Sequence, residues 1–295
     1  MNPKEVRVLQ AIGIAQKDKK RLGTFLKHGL LHLFIGIGAV TMLLPFLWMV
    51  SSSLKTGADI FVFPPQWIPR PPVWSNYPET IAAMPFVNFV ANSIKIASLA
   101  TLGQLITCSM AAYAFARMEF PGRDLLFGIL MAALMIPGQV TMIPIFLIMR
   151  SLGWVDTHLP LIIPYFCGGA FDTFLMRQFF LTLPKELEDA AMIDGCSRFA
   201  ILWKIFVPLS KPALATLGVF TFMNHWNDLL GPVIYLTSFD KMTLPVGLAV
   251  FREQYNTQWN LLMAGALISV APILVMYVCA QKYFIQGITM TGIKG

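Results

Sequence analysis

Two carboxylates stand where the sequence is otherwise free of charge. Asp172 interrupts the run from Leu159 to Met176, and Asp228 interrupts the run from Ala213 to Leu236. A carboxylate in so apolar a stretch is costly unless it faces protein or water, so such residues mark ion ligands, proton relays or substrate contacts. Trp226 and Asn227 adjoin Asp228 and add an aromatic face and an amide. Lys95 stands in another apolar region, where a long side chain can snorkel to water or meet a substrate. Each has a structural counterpart. Either aspartate could be a helix-end carboxylate, Asp172 could pair with Arg177, and membrane tryptophan commonly serves packing or the interface. His32 and His225 read as polar helix residues. Cys108, Cys167, Cys196 and Cys279 show no C-x-x-C spacing and no accompanying histidines, which argues against a disulfide framework or a zinc site.

A second kind of chemistry is written between Arg177 and Lys211. Charged residues gather there, including Glu186, Glu188, Asp189, Asp194 and Arg198, while Leu183, Leu187, Ala190 and Ala191 recur at helical spacing. Thr182 and Pro184 stand where a helix start takes a cap and an early proline, with Glu186 and Glu188 in the first turns. Gly195 supplies a residue able to turn left-handed, and Ser197 can cap a second short helix that Pro208 helps to end. The spacing predicts helix, glycine turn, helix, in a segment far longer than a connection needs. It reads as an amphipathic interfacial loop or as a docking knob for a soluble subunit.

The elements that hold these residues follow from composition. Apolar residues make up 56% of the 295 and charged residues 13%, about half the charge of an average soluble domain. Uncharged or nearly uncharged runs extend over Leu30–Val50, Ile96–Phe115, Leu125–Met149, Leu159–Met176, Ala213–Leu236 and Leu261–Ala280. Each is about as long as a membrane crossing, and only helices and closed barrels satisfy their backbones in lipid. Barrel strands would alternate over about ten residues, which these runs do not. The fold class is therefore all-α, a polytopic transmembrane helical bundle of about six helices. The first run exceeds the usual signal-peptide core of about 7–15 residues and reads as an uncleaved anchor.

Lysine and arginine set the orientation. With the N-terminal segment inside the cell, sixteen of the twenty-two basic residues fall on inside segments and six on outside ones, as the positive-inside rule requires. Both termini are then cytoplasmic, and the net charge of +7 is accounted for by topology without a nucleic-acid partner. The segments are a cytoplasmic stretch over 1–29, a transmembrane domain over 30–285 with its cytoplasmic loop at 177–211, and a cytoplasmic tail over 286–295. Outside, the proline- and tryptophan-rich stretch from Ser51 to Asn88 reads as an extended connector or a docking surface. The stretch from Thr237 to Asn260, holding Gln254, Tyr255 and Asn256, carries more polar side chains than a turn needs.

The stretch Asp189-Ala190-Ala191, three residues, Gly195, nine residues, Ile205-Phe206-Val207-Pro208 resembles the cytoplasmic signature of the membrane subunits of binding-protein-dependent ABC importers. Asp189 and Val207 depart from the family's glutamate and leucine. The run Leu183 to Gly195, with Pro45-Phe46-Leu47-Trp48, Asn92-Ser93, Trp226-Asn227-Asp228 and the closing Gly292-Ile293-Lys294-Gly295, is similar to the carbohydrate-uptake branch and, within it, to the second permease of maltose-type transporters. The resemblance implies a type I importer permease without catalytic residues. Glu188, Asp189, Ala190, Ala191, Asp194 and Gly195 would dock an ATP-binding subunit. Asp172, Trp226, Asn227, Asp228 and Lys95 would lie on the substrate path, and Gln254, Tyr255 and Asn256 would meet the binding protein. Implied partners are a second permease, two ATP-binding subunits, an external solute-binding protein, the lipid bilayer and a sugar or oligosaccharide. Metal and cofactor are expected on none of this chain's residues, ATP and magnesium belonging to the partner subunits. In keeping with this, Ile293 stands where a phosphate loop after Gly287 and Gly292 would need lysine. The other function the residues allow is an ion-coupled secondary transporter with Asp172 and Asp228 as ligands, although such folds usually show inverted repeats. The sugar is left open between neutral and uronate, Lys95 and Arg252 standing on the external side.

Overall fold

The computed structural model describes the backbone of residues 3–254 and 258–291, and the side chains of 27–252, 258–279 and 281–282. All regular structure among them is helical: α1 (Pro3–Ser53), α2 (Asn76–Ala83), α3 (Phe86–Arg117), α4 (Arg123–Ala132), α5 (Gly138–Ser151), α6 (Ala170–Thr182), α7 (Glu186–Ile193), α8 (Arg198–Ile201), α9 (Val207–Leu209), α10 (Lys211–Trp226), α11 (Leu230–Tyr235), α12 (Leu244–Gln254) and α13 (Trp259–Thr291).

Four helical stretches are long and apolar enough to cross a membrane: Lys27–Ser53, Phe86–Arg117, Leu159–Thr182 and Trp259–Cys279. The expected third span is bent: Arg123–Met135 and Gly138–Ser151 meet at 102°. A second bend, of 82°, separates Arg198–Leu209 from Lys211–Trp226 and so lies just before the expected fifth span, and the count reaches six when each bent pair is one span. Proline explains the first bend. Pro137 has no N–H to donate and pushes Ile136 out of the helical region, to φ −86°, ψ 114°. The run from Ala213 to Leu236, expected to be one span, is instead α10, a break over Asn227 to Leu229, and the short α11. The stretch from Leu159 begins as two short 3₁₀ turns and becomes regular helix only at Ala170, after Gly168 at φ +84°.

α3 is the hub, packing along α6 and α10. Three buried clusters line it. One gathers Tyr113, Met176, Phe180, Ala191, Ile201 and Phe206 near the carboxyl ends of α3 and α6; a second gathers Phe86, Phe89, Trp226, Leu244 and Phe251 at the opposite end of α3. The third joins Ile96 and Met149 to Leu161 and Tyr235. α1 runs beside α13, yet from Leu30 to Leu47 its side chains are exposed, as in a helix that faces lipid or another subunit. The segment expected to be wholly extended contains α2. Its start is tied down by Asn76, whose Nδ2 donates to the carbonyls of Ser53 and Lys55, both at 2.8 Å.

Candidate coupling and transport sites

The helix, glycine turn, helix motif is present. α7 ends at Ile193, Gly195 takes φ +78°, and the Ser197 hydroxyl accepts from the Ala200 N–H at 3.2 Å to cap α8. The start differs from expectation. Thr182 closes α6 and donates to the Phe179 carbonyl at 2.7 Å, and α7 opens after Lys185 without a side-chain cap. Nothing lies within 4 Å of where a Cβ on Gly195 would sit, so glycine is needed there for the backbone angle and not for space.

Helical periodicity divides the expected docking residues. Asp189, Ala190, Asp194 and Gly195 are exposed, whereas Glu188 and Ala191, one turn apart, are turned inward. Glu188 is only 3% exposed. Its Oε1 accepts from the Tyr113 hydroxyl at 3.0 Å and from Arg198 Nη1 at 3.2 Å, and its Oε2 lies 4.0 Å from Arg117 Nε. Arg117 in turn donates through Nη2 to the carbonyls of Phe180, at 2.7 Å, and Leu183, and lies over the Phe206 ring at 5.1 Å. A cation at the carboxyl end of α6 satisfies carbonyls the helix leaves unpaired. Glu188 therefore ties the knob to α3, with Arg117 binding the end of α6 into the same contact. The outer surface is more apolar than expected: Ile193 is 87% exposed and Phe199 63%.

The aspartates lie at helix irregularities, not within straight spans. Asp172 is in the first turn of α6, and Asp228 is in the break before α11. The fold brings them together in one cavity of about 310 Å³, lined by Gln104, Tyr165, Asp172, Thr221, Asn224, His225 and Asp228. Gln104 Nε2 donates to Asp172 Oδ2, and His225 Nε2 lies 3.4 Å from Gln104 Oε1. Tyr165 meets the His225 ring edge to face at 4.1 Å. Asp228 Oδ1 accepts from the Gly231 N–H at 3.1 Å, so one of its oxygens serves the start of α11. Gly169 sits close against this pair: a Cβ there would lie 2.7 Å from Asp172 Oδ2 and 2.8 Å from Gln104 Nε2, so any larger residue would displace both side-chain ends.

The other expected path residues are elsewhere. Trp226 is buried against α13, its Nε1 donating to the Ser269 carbonyl at 3.1 Å, and Asn227 donates to the Met223 carbonyl at 2.9 Å. Lys95 lies with His158, 3.4 Å away, in a different cavity that also holds Asp156 and Lys241. Arg177 does not pair with Asp172; it donates to the Phe115 carbonyl and covers the Phe127 ring. Tyr255 and Asn256 lie outside the described residues, as does the side chain of Gln254. Sequence reasoning missed Gln104, Thr221 and Asn224. A signal existed, because positions 221, 224, 225 and 228 repeat at helical spacing in an apolar run. Among the described residues no group of three His, Cys, Asp or Glu is placed to hold a metal ion.

A helical membrane protein with a mid-bundle polar cavity and an anchored knob at one end is the class these observations define. The chain belongs to the family described as binding-protein-dependent transport system inner membrane component, which matches residues 103–290. It is 34% identical over 287 residues to a probable ABC transporter permease protein of Bacillus subtilis, covering 96% of this chain and 94% of that one. It is 39% identical over 204 residues to the arabinooligosaccharides transport system permease protein of Halalkalibacterium halodurans, covering 69% of this chain and 73% of that protein. The fold matches a chain in the crystal structure of a bacterial ABC transporter involved in the import of the acidic polysaccharide alginate, with TM-score 0.76 and 28% identity over 85% of this chain and 94% of that chain. Family membership leaves the ion-coupled secondary transporter without support.

Proposed function

We propose that this chain is one of two membrane-spanning subunits of an ATP-driven saccharide importer. It works with a second permease, two ATP-binding subunits and an external solute-binding protein. The observation that carries the reading is the knob, held from inside by Glu188 while Asp189, Ala190, Asp194, Gly195 and Ile193 face outward. A surface so anchored moves with α3 and α6, so closure of a docked ATP-binding subunit would reach the cavity between the helices as rigid-body motion. Asp189 offers a carboxylate to a partner cation, and Ile193 and Phe199 supply apolar contact. ATP and magnesium are held by the partner subunits. Both termini and the knob lie on the cytoplasmic side, and the loop around Gln254, Tyr255 and Asn256 faces the binding protein. The saccharide class is supported by the arabinooligosaccharide and alginate transporters to which the chain is similar.

The test is reconstitution of the purified complex in proteoliposomes with the binding protein. Saccharide uptake should require ATP on the knob side and should persist when ionophores collapse every ion gradient. Gradient-driven uptake by this chain alone, without ATP-binding subunits, would overturn the reading.

A further inference from the structure

We propose that the cavity between α3, α6 and α10 is a saccharide-binding site in this chain, built for uncharged, hydroxyl-rich sugars and closed to uronates. The proposal rests on the importer reading above. It starts from groups that have been left without partners. The Thr221 hydroxyl, the Asn224 amide, the Tyr165 hydroxyl and the second oxygen of Asp172 have no hydrogen-bond partner among the described residues, and all line one cavity, with Asp228 beside them. Thr221 is 4% exposed and Asp172 8%. Asn224 is exposed and Tyr165 half-buried, so these polar groups open onto the cavity and are not sealed in the interior. Four that converge from separate elements on one space are matched to what enters it.

The chemistry of the lining narrows the occupant. Carboxylate oxygens accept hydrogen bonds from sugar hydroxyls. Asn224 can donate and accept, and the hydroxyls of Thr221 and Tyr165 do either. Gln104 locks the arrangement, giving its amide N–H to Asp172 and facing His225 with its carbonyl. Among the described residues no lysine or arginine lines the cavity, so an anionic sugar would meet two carboxyl groups and no compensating cation from them. Lys95 and Lys241, which could welcome an acid, lie in the other cavity. The volume of about 310 Å³ falls at the lower end of ligand pockets, roughly 300–1,000 Å³. Its depth suits a transport site: Gln104 lies eighteen residues into α3 and thirteen from its end, about 27 Å and 20 Å along the axis. The site thus separates this chain from the alginate transporter whose fold it shares, because alginate is described there as acidic.

The experiment offers the reconstituted complex, with its binding protein, neutral arabino-, xylo-, malto- and cello-trisaccharides and, separately, trigalacturonate. Wild type should take up at least one neutral trisaccharide with ATP and should leave trigalacturonate outside. Thr221→Val should raise the half-saturating concentration of that neutral sugar about tenfold, Thr221→Ser should restore it, and Asp172→Asn should raise it comparably. Co-elution of all subunits on gel filtration shows that each variant has assembled. ATP-dependent uptake of trigalacturonate by wild type overturns the site's assignment while leaving the importer reading intact. Unchanged half-saturation in Thr221→Val and Asp172→Asn does the same. A wild-type complex that hydrolyses ATP and carries no saccharide of either class overturns both.

Discussion

The knob and the cavity are both polar regions in an apolar protein, and they treat their polar groups in opposite ways. At the knob, Glu188 accepts from Tyr113 and Arg198 and faces Arg117, which itself donates to the carbonyls that end α6. In the cavity, Asp172 has one donor, Gln104, and Thr221 has none among the described residues. A charge whose partners are all supplied by the protein can serve only to hold elements together. A polar group without one is available to a ligand. On the reading proposed above, the contrast divides the chain into a part that would transmit force and a part that would bind, joined by α3, which carries Tyr113 and Arg117 near one end and Gln104 near its middle.

The largest expected effect comes from breaking the contacts of Glu188, the saturated group of the knob, beside which Arg117 Nε has no hydrogen-bond partner. Glu188→Ala removes the acceptor of two donors and strands Arg117 and Tyr113 in a buried site. Removing one partner of a buried ion pair costs about 3–5 kcal/mol, and because Arg117 keeps its two carbonyls the lower figure is expected here. Thermal unfolding of the detergent-solubilised chain should fall accordingly, and the ATP-binding subunit should no longer co-purify. A variant that melts like wild type would mean the knob is held by packing in the Phe180–Phe206 cluster alone.

The same operation in the unsaturated region should leave stability unchanged. Thr221→Val keeps shape and deletes a hydroxyl that opens onto the cavity and bonds no described residue. The melting temperature of the isolated complex should hold while uptake declines. This is the outcome expected where a group is kept unsatisfied for a ligand. A lower melting temperature would show that Thr221 has a structural partner and would erase the contrast.

The two regions also differ in how far the sequence disclosed them. The knob was legible because its cues are local: acidic first turn, glycine at the stop, serine cap, all within about twenty residues. What the local cues could not reveal was which face turns inward. That depends on Tyr113 and Arg117, some seventy residues upstream, which face Glu188 and leave it and Ala191 buried. For the cavity, the two aspartates were visible as breaks in apolar runs, but Gln104, Thr221 and Asn224 carry no charge and were absorbed into the spans. Trp226 was misplaced because an aromatic beside an aspartate points wherever the helix phase sends it, in this case toward Ser269. The six runs predicted the bundle, while the bends at Pro137 and between α9 and α10 needed the three-dimensional path.

A third polar region provides the finest test of the rule that saturation means holding. Asp156, at φ +59° in the connection between α5 and the next span, accepts from the backbone N–H of Thr237 at 3.0 Å and of Ser238 at 2.8 Å, and from the Ser238 hydroxyl and Lys241 Nζ, the latter at 3.0 Å. It latches that connection to the one after α11. The Ser238 hydroxyl and N–H first, then Lys241 and the Thr237 N–H, hold its carboxyl well below the usual carboxylate range. A pKa lowered by folding adds stability above the unfolded value, about 3.9, and loses it as pH falls toward the folded value. The latch should therefore be fully engaged from pH 8 down to about pH 5 and weaken only in stronger acid. Asp156→Asn tolerates the left-handed backbone but gives up the charge. Its melting temperature should lie slightly below wild type by a constant margin across pH 5–8, and the margin should begin to shrink below about pH 4, as the unfolded wild-type chain takes up a proton that the folded one still refuses. The effect should be smaller than that of Glu188→Ala, because the group is accessible to water and screened by it. A margin that instead grew on acidification would mean that Asp156 opposes the fold, and that a carboxylate ringed by donors is no guide to what holds this end of the protein together.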